Sequence, residues 1–174
     1  MKGDGKIRSV SKRDGKIGNV SWIAFISIAL SVFVLDLLTK ILVLQWMPVH
    51  ATREIIPGLF NLVHVRNTGA AFSLLAGAGT VWRRVGFSAV SVLALGVILF
   101  LYTKASKEDT WTKWGLALIF GGALGNLADR LRFGEVVDFL DFYLGSHHWP
   151  AFNIADSAIT IGACILVLAL FKRK

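Results

Sequence analysis

Four stretches of this chain are long and apolar enough to cross a lipid bilayer, and that constrains the fold more than any other feature. A spanning helix needs about 20 predominantly apolar residues. The four runs lie at about 22–43, 85–102, 114–131 and 152–171. They predict a mainly α, integral membrane fold of four transmembrane helices. The first run has the basic flank of a signal peptide, but its apolar stretch is too long and no small-residue cleavage site follows it. It reads as a permanent span. Residues 1–21 read as a basic, disordered cytoplasmic tail, and residues 22–174 as one membrane domain.

Composition agrees. Apolar residues make up 55% of the chain and charged residues 17%, whereas a soluble domain carries about 45–50% and about 25%. A disordered chain is excluded and an ordinary soluble enzyme is disfavoured. The single cysteine, Cys164, excludes a disulfide framework and a cysteine-based zinc cluster. A net charge of +8 would fit a nucleic-acid partner, but its distribution does not. Lys2, Lys6, Arg8, Lys12, Arg13 and Lys16 crowd the N-terminal tail, Lys104, Lys107 and Lys113 surround the second interhelical loop, and Lys172, Arg173 and Lys174 close the chain. Basic groups flanking apolar runs set topology and meet anionic lipid. They place both termini in the cytoplasm, with membrane lipid and no nucleic acid as partner. Arg83 and Arg84 lie on the unexpected side.

This orientation leaves two segments outside, at about 45–82 and 132–150. The first contains Pro57-Gly58 followed by an alternating, β-branched run to Val65. Pro-Gly marks a turn and the alternation a strand, which predicts a small extracytoplasmic β-sheet cradle.

Polar residues within or beside the spans are the functional candidates, because an ionisable group at membrane depth costs roughly 2.5–3.5 kcal/mol on insertion scales. Asp36 and Lys40 are four residues apart, share a helix face and can pair. Such a pair either neutralises itself to fix helix packing or positions a substrate. The small, polar segment Arg66-Asn67-Thr68-Gly69-Ala70-Ala71-Phe72-Ser73 reads as a plain loop or as a turn facing a ligand. Asn126, Asp129 and Arg130 form either a functional cluster or a polar helix end. Asp138 and Asp156 are 18 residues apart on different elements, both at the outer end of the bundle. Two carboxylates sharing a site resist simultaneous ionisation, so one can serve as base while the other holds a proton. The plainer alternatives are a solvated loop acid and a helix-start acid. Asp138, Asp141, His147, His148 and Asp156 are conceivable metal ligands, but no familiar ligand spacing appears, and no metal is expected. His50 and His64 read as structural or interfacial. No Gly-x-Ser-x-Gly occurs and Cys164 lies mid-span, which argues against a Ser or Cys nucleophile.

Five blocks in order resemble the bacterial lipoprotein signal peptidases, also called type II signal peptidases: Asp36, Thr39 and Lys40; Asn67-Thr68-Gly69-Ala70-Ala71-Phe72-Ser73; Gly125-Asn126 with Asp129-Arg130; Val136-Val137-Asp138-Phe139; and Phe152-Asn153 with Ala155-Asp156. The resemblance covers about residues 22–171. It implies a membrane aspartyl endopeptidase that cleaves diacylglyceryl-modified prolipoproteins just before the lipidated cysteine. The catalytic pair maps onto Asp138 and Asp156. Asn67, Gly69, Asn126, Asp129, Arg130 and Asn153 map onto substrate contact or active-site support, and Asp36 and Lys40 onto the polar positions of the first span. It further implies no cofactor, a monomer in the bacterial cytoplasmic membrane, and inhibition by globomycin. The competing readings are a transporter using Asp36, Asp129, Asp138 and Asp156 as a proton relay, and a scaffold that binds other membrane proteins. A relay would spread polar groups through the bilayer depth, and here they cluster at one end.

Overall fold

The structure is a computed structural model, described for residues 21–69, 80–106 and 108–172. The N-terminal tail, residues 70–73 of the second sequence block, Lys107, Arg173 and Lys174 lie outside those residues. Four helices carry the chain: α1 (Trp22–Trp46), α2 (Thr80–Lys104), α3 (Thr110–Phe133) and α4 (Ile154–Lys172). Their boundaries follow from capping. Ser21 Oγ accepts from Ala24 N at the start of α1 (3.3 Å). Asp109 Oδ1 accepts from Thr112 N at the start of α3 (3.1 Å). Gly134, at φ 80°, closes α3 in the left-handed conformation that glycine adopts most readily.

Among the described residues, α1, residues Arg84–Lys104 of α2, and α4 are long and apolar enough to cross a membrane. Helix α3, expected from sequence to be a fourth such span, is of a different kind. It is rich in glycine and carries Asn126, Asp129 and Arg130. The contacts explain why: α3 packs against α1, α2 and α4, so most of its surface meets protein. Small residues let the other backbones approach closely. A Cβ at Gly121 would lie 2.6 Å from Ala29 O, and one at Gly115 would lie 2.8 Å from Gly162 O. At Gly122 a Cβ would collide with Ala155 O.

The interhelical segments supply an antiparallel sheet of β1 (Thr52–Ile56), β2 (Phe60–Asn67), β3 (Val136–Leu144) and β4 (His147–His148), in that spatial order. The turn expected at Pro57-Gly58 joins β1 to β2, with Gly58 at φ 78°. The second outer segment contributes two further strands. Register pairs Val65 with Asp138 and Asn67 with Val136. An irregularity between Leu62 and Val65 gives β2 one extra residue opposite β3. Beyond β4, Phe152 N donates to Leu140 O (3.0 Å) and Phe152 O accepts from Leu140 N (2.8 Å). This pairing delays α4 to Ile154, two residues later than sequence predicts, and brings its start against the middle of β3. Val43, Val137 and Phe139 form the apolar core between sheet and bundle, with Leu62, Phe133 and Ile154 packed around them.

Close packing at α3 gives a contrast between two glycines. Gly122→Val forces a side chain into the α4 backbone and should destabilise by at least about 1–3 kcal/mol. Gly96→Ala in α2, with no atom within 4 Å of its Cβ, should be neutral or stabilising by up to about 1 kcal/mol. Thermal unfolding of the full chain in detergent measures both.

Candidate active site

Helix α1 presents Asp36 and Lys40 one turn apart on its buried face. Both are about 1% exposed, so neither charge is solvated by bulk water. The Lys40 ammonium instead lies 2.7 Å from Asp36 Oδ2 and 2.8 Å from Asp129 Oδ2 of α3, and donates to Asn126 Oδ1 (3.2 Å). Each carboxylate then fixes a second element. Asp36 Oδ1 accepts from Ala155 N in the first turn of α4 (2.9 Å). Asp129 Oδ2 accepts from Val137 N at the start of β3 (3.1 Å). Gly125 leaves room for the Asp36 carboxylate, which any Cβ there would strike. Lys40 thus ties α1, α3, β3 and α4 together.

The asparagines carry this order outward. Asn126, oriented by Lys40 through its oxygen, donates from Nδ2 to Asp156 Oδ1 (2.7 Å). Asn153 precedes α4 and caps it, its Oδ1 accepting from Asp156 N (2.9 Å). Its Nδ2 donates to Asp138 Oδ1 (2.7 Å). One fully buried amide therefore touches both residues of the candidate pair. Asn67 Nδ2 of β2 donates to the other oxygen, Asp138 Oδ2 (2.9 Å), and Asn67 Oδ1 accepts from Gly69 N (2.9 Å). Gly69, at φ 76°, sits against the Phe87 ring, where a Cβ would be 2.8 Å from Cζ.

The two aspartates differ in surroundings. Asp138 is 1% exposed. Burial above all pushes its carboxyl up to about 6, with the Asp156 charge adding to the rise and the Asn67 and Asn153 hydrogen bonds opposing it. Asp156 is half-buried and lines an open cleft of about 410 Å³ with Trp149, Phe152, Thr160 and Ile161. One carboxyl is enclosed and proton-retaining, and the other is hydrogen-bonded and reachable.

Of the residues singled out from sequence, Asp36, Lys40, Asn67, Asn126, Asp129, Asp138, Asn153 and Asp156 meet in this one network, with Gly69 at its edge. Arg130 stands beside it. Its Nη1 donates to Ser91 Oγ of α2 (3.2 Å) and its guanidinium lies 5.9 Å from the Phe87 ring centroid. Ser91 and Phe87 were not singled out, although a serine within an apolar span is a detectable signal. Asp141 lies three residues beyond Asp138, so the strand alternation turns it to the other face. There it bonds Asn61 Nδ2 (2.9 Å) and His148 Nδ1 (3.0 Å). Among the described residues, no three His, Cys, Asp or Glu side chains converge as a metal site would require. His64 is buried, its Nδ1 2.9 Å from Met47 O, in keeping with a structural reading.

Fold and site together define an integral membrane protein whose helices and sheet enclose a pair of carboxyl groups on a buried polar network. Comparison with known proteins is more specific. The family model for signal peptidase (SPase) II matches residues 28–172. A lipoprotein signal peptidase of Maridesulfovibrio salexigens is 47% identical over 147 residues, covering 84% of this chain and 94% of that protein. Another, from Paraburkholderia phytofirmans, is 46% identical over 168 residues, covering 95% and 96%. A solved structure described as a bacterial membrane enzyme, obtained by the in meso method at 1.9 Å resolution, matches with a TM-score of 0.79 at 33% identity, covering 88% of this chain and 96% of that one. The chain belongs to the signal peptidase II family and is a peptidase by membership.

Removing the lysine leaves two buried carboxylates facing each other. Lys40→Met should destabilise by about 3–5 kcal/mol, read as a lowered unfolding midpoint in detergent. The pH dependence follows from Asp138. Its native carboxyl keeps its proton to about pH 6, against 3.8 for the ordinary group. The native state therefore binds the extra proton between those values, and stability is lost as pH rises through that window. Relative to Asp138→Asn, the wild type should lose about 2 kcal/mol between pH 4.5 and 7.5. Denaturant unfolding of both proteins at the two pH values measures this, and a difference independent of pH would contradict the assignment.

Proposed function

We propose that this chain is an aspartyl endopeptidase of the bacterial cytoplasmic membrane that removes the signal peptide from diacylglyceryl-modified prolipoproteins, cutting just before the lipidated cysteine. The observation that carries this reading is Asn153, which donates to the Asp138 carboxyl and accepts from the Asp156 backbone N–H, and so holds two acidic residues from different elements beside one amide. Family membership supports the substrate class.

In this reading the half-exposed Asp156 acts as general base. It takes a proton from a water in the cleft, and the water oxygen attacks the scissile carbonyl carbon. The enclosed Asp138, protonated, donates a hydrogen bond to the carbonyl oxygen as negative charge develops there. Collapse of the tetrahedral intermediate breaks the C–N bond, and the proton held by Asp156 passes to the leaving amine. Lys40, Asp36 and Asp129 take no part in proton transfer and hold Asn126 and Asn153 in place. The chemistry calls for no metal or organic cofactor.

The same reading makes α3 a fourth span shielded from lipid by its neighbours, places both termini in the cytoplasm and the carboxyl pair at the outer face, and makes the protein a monomer sensitive to globomycin. The lipid anchor of the substrate would hold the scissile bond at headgroup level, and its signal helix would enter from the bilayer. Gathering of the buried carboxylates Asp36, Asp129 and Asp138 in one network, with no buried carboxylate among the described residues at the opposite end of the bundle, favours this over a proton relay.

A gel-shift assay with a diacylglyceryl-modified prolipoprotein tests it. Wild type should cleave in the presence of chelator, and Asp138→Asn and Asp156→Asn should each lose on the order of 10²-fold to 10⁴-fold in rate. Undiminished cleavage by either variant removes that residue from the catalytic pair, and no cleavage by folded wild type overturns the substrate assignment.

A further inference from the structure

The end of the bundle remote from the carboxyl pair has a site that the peptidase reading does not use. The C-termini of α2 and α4 and the N-terminus of α3 meet there. Helices α2 and α4 both pack on α3, and among the described residues neither makes extensive contact with the other. A gap floored by α3 results, and its character changes along its length. At the helix ends it is a cleft of about 510 Å³ lined by Lys104, Ser106, Glu108, Asp109, Trp111 and Lys172. Directly beneath, sharing Lys104, lies an apolar groove of about 340 Å³ whose lining includes Leu101, Leu116, Leu166 and Leu170.

The polar cleft sets two lysines, Lys104 and Lys172, beside two acids, Glu108 and Asp109. Asp109 is engaged by the α3 backbone as an N-cap. Lys172 is held 4.0 Å from the centroid of the Trp111 ring, and Lys104 lies 5.5 Å from that of Phe100. These aromatic contacts hold the ammonium groups without neutralising them. A free phosphate would use the lysines and leave the leucine groove unfilled. A neutral lipid would fill the groove and gain nothing from the lysines. A tryptophan with lysines at helix ends, above an apolar groove, matches a membrane interface and a single amphiphile with a negative head.

We propose that this gap binds one anionic glycerophospholipid, its phosphate between Lys104 and Lys172 and an acyl chain in the groove between α2 and α4. The lipid would complete the packing of two helices that, among the described residues, make little contact with each other. The proposal rests on the membrane character of the chain and is independent of the catalytic assignment.

Native mass spectrometry of the full-length protein, released from micelles holding equimolar dioleoyl phosphatidylglycerol and dioleoyl phosphatidylcholine, tests it. Wild type should retain one phosphatidylglycerol preferentially. Lys104→Gln with Lys172→Gln should lower that adduct by roughly 25-fold, since each lysine near an anionic headgroup contributes about fivefold. Leu166→Gln, which places a polar group in the groove, should lower it with both lysines present. Both variants should keep the helical circular-dichroism spectrum and the monodisperse elution of wild type in detergent, showing that they are folded, and 10 mM inorganic phosphate should leave the adduct unchanged. Equal retention of the two lipids, an adduct unaffected by the double substitution, or displacement by inorganic phosphate would overturn the proposal. A basic N-terminal tail that held the lipid by itself would give the second of these results.

Discussion

Everything at the site depends on one buried cation. Lys40 has almost no contact with solvent, and an unpaired ammonium in that position would be untenable. It is tolerated because Asp36 and Asp129 approach it from two helices. The same two carboxylates also accept backbone N–H groups from α4 and β3. A buried ion pair is weak evidence for net stability, because desolvation cancels much of the attraction. Its value here is positional. It allows few arrangements of α1, α3, β3 and α4, and the permitted one brings Asp138 and Asp156 to opposite sides of Asn153.

The site is graded outward from this cation. Nearest it, the carboxylates are consumed by ion pairing and helix anchoring. One step out, Asn126 and Asn153 convert that order into oriented amides that carry no charge. The outermost pair, Asp138 and Asp156, is left with hydrogen bonds from those amides and, among the described residues, no salt-bridged cation. Asp138 can therefore be pushed up by burial where a salt bridge would have held it down. Amides suit this place because they orient a carboxyl while neutralising it far less than an ammonium would. The sheet completes the enclosure: β2 brings Asn67 to the second oxygen of Asp138, and the pairing of β3 with Phe152 sets where α4 begins.

Much of this was legible in the chain. Apolar length gave the helices, and helix spacing put Asp36 and Lys40 on one face, where they do pair. Pro57-Gly58 and the alternation after it gave the turn and β2, within a small sheet whose other strands were not placed. Ordered sequence blocks gave all eight residues of the network, although spacing by itself left Asn67 as a loop residue and Asp138 as a solvated acid. What escaped was set by tertiary contact. Helix α3 reads as an apolar span because hydropathy does not report neighbours, and its glycines make sense only against Ala29, Ala155 and Gly162. Asp129 and Arg130 are adjacent in sequence yet serve different partners, one turned to Lys40 and the other to Ser91. Strand β3 was hidden because Val136 to Phe139 is too short a run to signal a strand until β2 and Phe152 flank it. Asp141 looked equivalent to Asp138 until strand alternation separated them.

The central claim is that this network leaves Asp138 as a carboxyl that is still protonated at mildly acid pH beside a reachable Asp156. Infrared difference spectroscopy of the full chain in lipid, titrated from pH 4 to pH 8, observes that proton directly. The account predicts a protonated-carboxyl C=O band that disappears with a midpoint near 6 and is missing from Asp138→Asn. Loss of all carboxyl bands near the ordinary aspartate value, or a band near 6 that survives the substitution, would contradict it.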